Sequence, residues 1–327
     1  MNNEGIGIEK ISYYLPKTLI TSQDLANQFD FERSFIETKI GVKHLYQATN
    51  ESVTDLAEHA LESLLSSRNE LRDKIQLLVV CTQTPEFQLP QTSAQLQDRC
   101  GLSNSVASFD ISLGCSGYVY GLSIVESLMV LHGYDYGVLI TAEKYSSIIN
   151  DDDRNTKCLF SDAASATLLS RNGMLIPGQY KFGTDGTFYD SLIVRNDENI
   201  DRLHKKSLNM DGRKIFNFTV GKIPNEISLV CKLNDVKENE IDYYVLHQAS
   251  SFLITSIAKK SLCDDKSKFV NYMEKFGNTV SSSIPIALCQ LVSEKNKIGK
   301  KILLSGFGVG LSWGTVVLSN KMDFNNE

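Results

Sequence analysis

The sequence predicts a layered α/β fold built from two similar halves. Apolar, β-branched runs alternate with helical patterns along the chain, and the strand-turn-helix units recur at a nearly constant shift. Ile75 and Ile241 begin matching strands 166 residues apart, Cys115 and Asn278 lie 163 apart in matching turns, and Val138 and Ile302 lie 164 apart. Three matches in one order put the division near residue 172, giving halves 1–172 and 173–327. No Pro/Gly/Ser-rich linker stands at that point, so the halves are expected to share one interface.

In chain order, the first clear helix is Val53–Leu65, where positions 53, 56, 57, 60, 61, 64 and 65 form one apolar stripe and Thr54 and Asp55 act as start signals. Residues 76–81 are apolar almost throughout, as a strand covered on both faces is. A strand around 106–109 leads through Cys115 into a helix over 118–130. Strands follow at 138–141, at Tyr243–Leu246 and at 301–305.

Length and composition narrow the classes of function. A chain of 327 residues holds about two structural units. With 42% hydrophobic and 22% charged residues it is globular and carries no signature of disorder. A net charge of −6 argues against a whole-surface attraction to nucleic acid or anionic lipid. No apolar run approaches the ~18 residues of a membrane span, and the opening residues do not read as a signal peptide, so a cytoplasmic protein without membrane partners is expected. Seven cysteines, an odd set without a Cys-x-x-Cys pair, fit reduced thiols better than a disulfide framework or a zinc site.

Three polar points stand out. Cys115, in Leu113-Gly114-Cys115-Ser116-Gly117, precedes a helix, where the dipole and free amides favour thiolate. Its pKa is therefore expected below those of the other six thiols. His247 ends an apolar strand in Leu246-His247-Gln248-Ala249-Ser250. Asn278 lies in Phe276-Gly277-Asn278-Thr279, the repeat partner of the cysteine turn. Each has a plain structural reading alone: a buried thiol, a core imidazole, a turn amide. A pseudo-twofold axis brings matching strand ends together, and the conjunction then supplies a nucleophile, a base or donor, and an amide donor in one site.

Over nearly its whole length the chain resembles the β-ketoacyl-acyl-carrier-protein synthase III branch of the thiolase-fold enzymes. Cys115, His247-Gln248-Ala249 and Gly277-Asn278-Thr279 match that family's triad in order and context. Phe160-Ser161-Asp162-Ala163-Ala164-Ser165-Ala166 and the closing glycine-rich segment 306–314 are similar to further family segments. The resemblance implies a thiolase-like α/β/α/β/α sandwich of two mixed five-stranded sheets, and a homodimer. It implies acyl-CoA and a malonyl-acyl carrier protein as substrates, with no metal or redox cofactor. The implied reaction is acylation of Cys115 followed by decarboxylative condensation, with the backbone amides of Cys115 and Val309 holding the oxyanion.

Further positions follow from the same resemblance. Arg154 and Phe35 match the pair that holds coenzyme A adenine, Gly212 and Phe216 match residues of the pantetheine tunnel, and Ser250 replaces a tunnel asparagine. Leu89 matches the residue that reaches across the dimer to close the acyl pocket. Phe252 replaces an arginine and Asn217 a lysine that meet the carrier protein, while Lys259 and Lys260 keep their places, as docking charges or as a solvated face. These losses point to a specialised pathway. Val309 replaces a glycine, and valine is unfavourable at positive φ. Two rival readings are transfer of the acyl group to an alcohol or amine, and a non-catalytic scaffold.

Overall fold

The computed structural model describes residues 5–196, 206–294 and 299–321. The first half contains β1 (Gly7–Tyr14), β2 (Thr18–Thr21), α1 (Ser22–Phe29), α2 (Arg33–Phe35), β3 (His44–Gln47), α3 (Val53–Leu65), β4 (Leu77–Cys81) and α4 (Thr92–Arg99). It continues through β5 (Ala107–Ile111), α5 (Gly117–His132), β6 (Tyr136–Glu143), α6 (Arg154–Lys157) and β7 (Ala163–Ser170). The second half contains β8 (Leu175–Pro177), β9 (Lys181–Thr184), β10 (Leu192–Asn196), β11 (Lys206–Met210), α7 (Gly212–Leu233) and β12 (Tyr243–Leu246). It closes with α8 (Ser251–Lys260), α9 (Met273–Phe276), α10 (Ser283–Glu294), β13 (Lys301–Gly308) and β14 (Ser312–Asn320).

The two halves repeat one pairing scheme. In the first, β4 lies parallel to β5 and β6, β6 is antiparallel to β7, and β7 to β1. In the second, β12 lies parallel to β13 and, at Tyr244, to Phe269; β13 is antiparallel to β14, and β14 to β8 and β9. Five strands on each side thus form one ladder, joined edge to edge at Ile8 and Leu175.

Helices divide this ladder into five layers. The middle one is α5, against β4 and β6 on one side and β13 and β14 on the other, together with α10. α3 covers β1, β6 and β7 from outside; α7 covers β13 and β14, with α8 packed on it. The layering explains the uniformly apolar strands. Leu77 and Val79 face the middle layer while Leu78 and Val80 face α3, because side chains alternate across a strand. α5 lies so close to β6 that a Cβ on Gly121 would meet Leu139 Cδ1 at 2.6 Å.

One start signal moves. α3 is capped by Ser52, whose hydroxyl accepts the Asp55 N–H at 3.1 Å while the Ser52 N–H donates to Asp55 Oδ2 at 2.7 Å. Thr54 is buried inside the first turn, its hydroxyl unpartnered.

Candidate active site

The N-terminus of α5 and the ends of β12 and β13 meet at the centre of the molecule. Cys115 sits two residues before α5 and against β13, where a Cβ on Gly308 would lie 2.8 Å from its sulfur. A Cβ on Gly306 would likewise lie 2.7 Å from the Cys115 carbonyl oxygen. The two glycines of the closing segment are therefore a close-approach requirement.

His247 is the first residue past β12, and its N–H donates to the Ser305 carbonyl at 2.8 Å, extending the parallel ladder. The imidazole is buried, edge-on to Phe307 at 5.6 Å, with Nδ1 2.6 Å from Ser283 Oγ. Ser283 Oγ also accepts the Gln248 N–H at 3.4 Å, which directs its own proton toward Nδ1. Burial holds the imidazole pKa down to about 3, opposed by a backbone hydrogen bond at Val280.

Asn278 follows Gly277, whose φ of 63° lies in the left-handed region. Its main chain is fixed by Asn278 N–H to Leu159 O and by Ser161 N–H to Asn278 O, each 2.9 Å. Its side-chain Oδ1 accepts the Val280 N–H at 2.9 Å. The amide nitrogen is left free to donate.

Cys115, His247 and Asn278 all line one cavity of about 330 Å³, and the rest of its wall is largely apolar. The expected low pKa of Cys115 is not what the surroundings give. Burial pushes the thiol up to about 12, the Glu143 charge adds to this, and the amides of Val309 and Cys115 act against it. Cys158 is pushed up by burial to about 11. Desolvation outweighs the helix terminus and favours the neutral forms of both the thiol and the imidazole.

Val309 is resolved by its neighbours. The positive φ angles fall on Gly308 and Gly310, at 159° and 132°, and Val309 is absent from the positive-φ residues. Its amide acts against the rise of the Cys115 thiol, and the valine itself carries no positive φ. The strained residue is Val280, fully buried at a φ of 51°.

The peripheral residues divide. Gly212, Phe216, Ser250 and Phe252 line the cavity, with Phe216 and Phe252 stacked at 5.2 Å. The Ser250 hydroxyl is engaged as the α8 cap, accepting the Leu253 N–H at 3.2 Å. Phe35 and Arg154 lie outside the lining; Phe31 stands between them, 5.1 Å from Phe35 and 5.4 Å below the Arg154 guanidinium. Leu89 is 84% exposed, beside Phe87 at 50%. Lys259 and Lys260 are exposed at the end of α8 and do not line the cavity.

Val280 and Ser283 lie in the segment running from Phe276 to Ser283 and Phe307 in the closing segment, without a role of their own in the sequence, and Glu143 was not signalled by it. Glu143 is a buried carboxylate accepting from the Gln83 N–H at 3.1 Å and from the Thr84 and Ser281 hydroxyls at 3.0 Å each. Burial raises it to about 8. An acid ending the apolar run of β6 was its one visible mark.

Residues 109–186 match the family model described as 3-oxoacyl-[acyl-carrier-protein] synthase III, and residues 231–319 match its C-terminal counterpart. The chain is 34% identical over 324 residues to the β-ketoacyl-[acyl-carrier-protein] synthase III of Lactococcus lactis subsp. cremoris, covering 95% of this chain and 98% of that one. The chain belongs to the 3-oxoacyl-acyl-carrier-protein synthase III family.

The Streptococcus mutans synthase III is 33% identical over 321 residues, with 95% and 98% of the two chains covered. Among solved structures, a 3-oxoacyl-(acyl-carrier-protein) synthase III superposes with a TM-score of 0.89 at 31% identity, over 96% of this chain and 99% of that one. The Aquifex aeolicus synthase III gives a TM-score of 0.87 at 30% identity, over 96% and 100%. Membership of the synthase III family makes the protein an acyl-transferring condensing enzyme of the thiolase fold. Among the described residues no cluster of three or more His, Cys, Asp or Glu could hold a metal ion, and no helix is long and apolar enough to cross a membrane.

Proposed function

We propose that Cys115 takes an acyl group from coenzyme A and that His247 and Asn278 then drive decarboxylative condensation with a malonyl unit on a carrier protein. The observation that carries this is the convergence of the three side chains on one apolar cavity.

In the first half-reaction the Cys115 sulfur bonds to the acyl carbon and the carbon–sulfur bond to coenzyme A breaks. The thiol proton leaves with the coenzyme A thiol. Because Cys115 is raised to about 12 and His247 held near 3, a free thiolate-imidazolium pair is unfavourable, so proton loss accompanies attack. The amides of Cys115 and Val309 face the developing oxyanion, at roughly 3 kcal/mol per donor in such sites.

In the second half-reaction the malonyl carboxylate leaves as carbon dioxide and its bonding pair becomes the enolate. With Ser283 donating to Nδ1, His247 carries its proton on Nε2, and Asn278 presents its amide N–H; both donate to the enolate oxygen. The enolate carbon bonds to the acyl carbon, the carbon–sulfur bond to Cys115 breaks, and the departing thiolate takes a proton from water to restore the thiol.

We extend the reading to the periphery. The unit boundary lies between β7 and β8, near residue 172. Arg154 and Phe35 hold the adenine end of coenzyme A, and Gly212, Phe216 and Ser250 its arm. A second cavity of about 380 Å³, lined by Tyr145, Ile148, Leu192, Leu208 and Val309, takes the acyl chain. Leu89 of a second copy closes it, so the enzyme works as a homodimer in the cytoplasm. Phe252, Lys259 and Lys260 meet the carrier protein. The test is the complete reaction: acyl-CoA with malonyl-carrier should yield one carbon dioxide and one 3-oxoacyl-carrier per turnover, and acyl transfer without carbon dioxide release would overturn it.

A further inference from the structure

A buried carboxyl outside the catalytic cavity ties together the segments that carry Cys115 and Asn278. Glu143, at the end of β6, is fully buried and does not line the cavity. Its donors come from two places. In the segment leaving β4, the Gln83 N–H lies 3.1 Å and the Thr84 hydroxyl 3.0 Å from Oε2, while the Ser281 hydroxyl donates to Oε1 at 3.0 Å. Gln83 abuts the cysteine turn, where a Cβ on Gly114 would meet its Oε1 at 2.4 Å. Ser281 follows Val280, whose N–H fixes Asn278 Oδ1. The next residue, Ser282, donates to the Thr141 carbonyl at 3.1 Å, so β6 holds both residues after Val280. A β-branched residue at a φ of 51° keeps that conformation only where its surroundings over-determine it.

We propose that Glu143 is a positioning residue for decarboxylation: through Ser281 it holds Val280 in its left-handed conformation and so keeps the Asn278 amide nitrogen turned into the cavity. This rests on the reading of Asn278 as a donor to the enolate. Glu143 itself acts only through the turn. Burying a carboxyl costs more than burying an apolar side chain, and here the cost is offset because its donors would otherwise be left unpaired. Ser281 and Val280 are 1% and 0% exposed, so solvent does not replace the bond once it is lost.

The experiment follows two signals, the acyl adduct on Cys115 and carbon dioxide released from malonyl-carrier. They are measured in the wild type, in Ser281→Ala and in Glu143→Gln, each also combined with Asn278→Ala. Ser281→Ala removes the tie and leaves the carboxyl in place. Glu143→Gln leaves one acceptor oxygen for three donors. In each, carbon dioxide release should fall about tenfold, the loss of one buried hydrogen bond, while acylation changes less than about twofold. In the Asn278→Ala background neither substitution should lower carbon dioxide release by more than about twofold, because no amide is left to orient. A purely structural role would lower it by the same factor in both backgrounds. That result overturns the inference, as does an equal loss of both signals or wild-type carbon dioxide release in a folded Ser281→Ala. Should Glu143→Gln not fold, Ser281→Ala decides alone. Wild-type carbon dioxide release in Asn278→Ala overturns the reading of Asn278 and the inference with it.

Discussion

Val280 donates its backbone N–H to Asn278 Oδ1 at 2.9 Å, and this one bond decides which end of the Asn278 amide faces the cavity. Val280 holds that position at a φ of 51°, a conformation that costs a β-branched residue of order 1–3 kcal/mol. Complete burial of its side chain against Cys115, Tyr145 and Phe160 offsets the strain.

The fixed amide separates the half-reactions. Asn278→Asp keeps an oxygen for the Val280 N–H and replaces the donor with a second acceptor. It should still form the acyl adduct, while carbon dioxide release falls by about 10²–10³, the usual cost of one donor aimed at an oxyanion. Equal loss of acylation and decarboxylation would contradict the division.

Val309→Gly tests the turn. Gly308 and Gly310 already absorb the positive φ angles, so freeing Val309 relieves no strain. Condensation should change less than about threefold, because the backbone N–H that faces the oxyanion is kept. A tenfold gain would mean that valine distorts the oxyanion site.

The buried imidazole sets a pH dependence of stability. Burial holds the folded His247 near 3, against its ordinary 6.5, so between those values the unfolded chain binds the extra proton. Stability at this site is present above about 6.5 and is lost as pH falls, at up to about 1.4 kcal/mol per unit. Glu143, raised by burial to about 8, slopes the other way between its ordinary 4.5 and 8. Urea unfolding at pH 7 and pH 5 should therefore show a smaller acid loss in His247→Gln than in the wild type. Identical losses would argue that His247 is protonated in the fold.

The strand ends, the helix over Val53–Leu65 and the three converging residues were legible because they follow from periodicity and from the repeat. The rest depended on contacts that periodicity does not encode. Cys115 read as an acidified thiol, since a helix terminus is visible in sequence while the depth of burial around it is not. Val309 read as strained because the two glycines that carry the unusual dihedrals are distinguishable from it only in three dimensions. Ser283 is an ordinary residue in sequence and gains meaning from the Nδ1 of His247.

On the proposed reading of Phe252 as a carrier contact, carrier preference follows from the mouth of the cavity. Phe252 is 62% exposed and stacked on Phe216, an apolar contact where a charge would otherwise meet an acidic carrier. Exposed charges contribute about 0.2–1 kcal/mol each. Phe252→Arg should raise kcat/KM for a general fatty-acid carrier by a few-fold, and more at low salt. Efficient use of that carrier by the native protein, with no gain in the variant, would place the enzyme in ordinary fatty-acid initiation.

The central claim is that Cys115 is the acyl acceptor, and intact-mass measurement after incubation with a panel of acyl-CoAs tests it most directly. The account predicts one acyl group per chain, mapped to Cys115 by peptide analysis and absent from a folded Cys115→Ser variant. An adduct that persists on Cys115→Ser, or that maps to another of the seven cysteines, would contradict it.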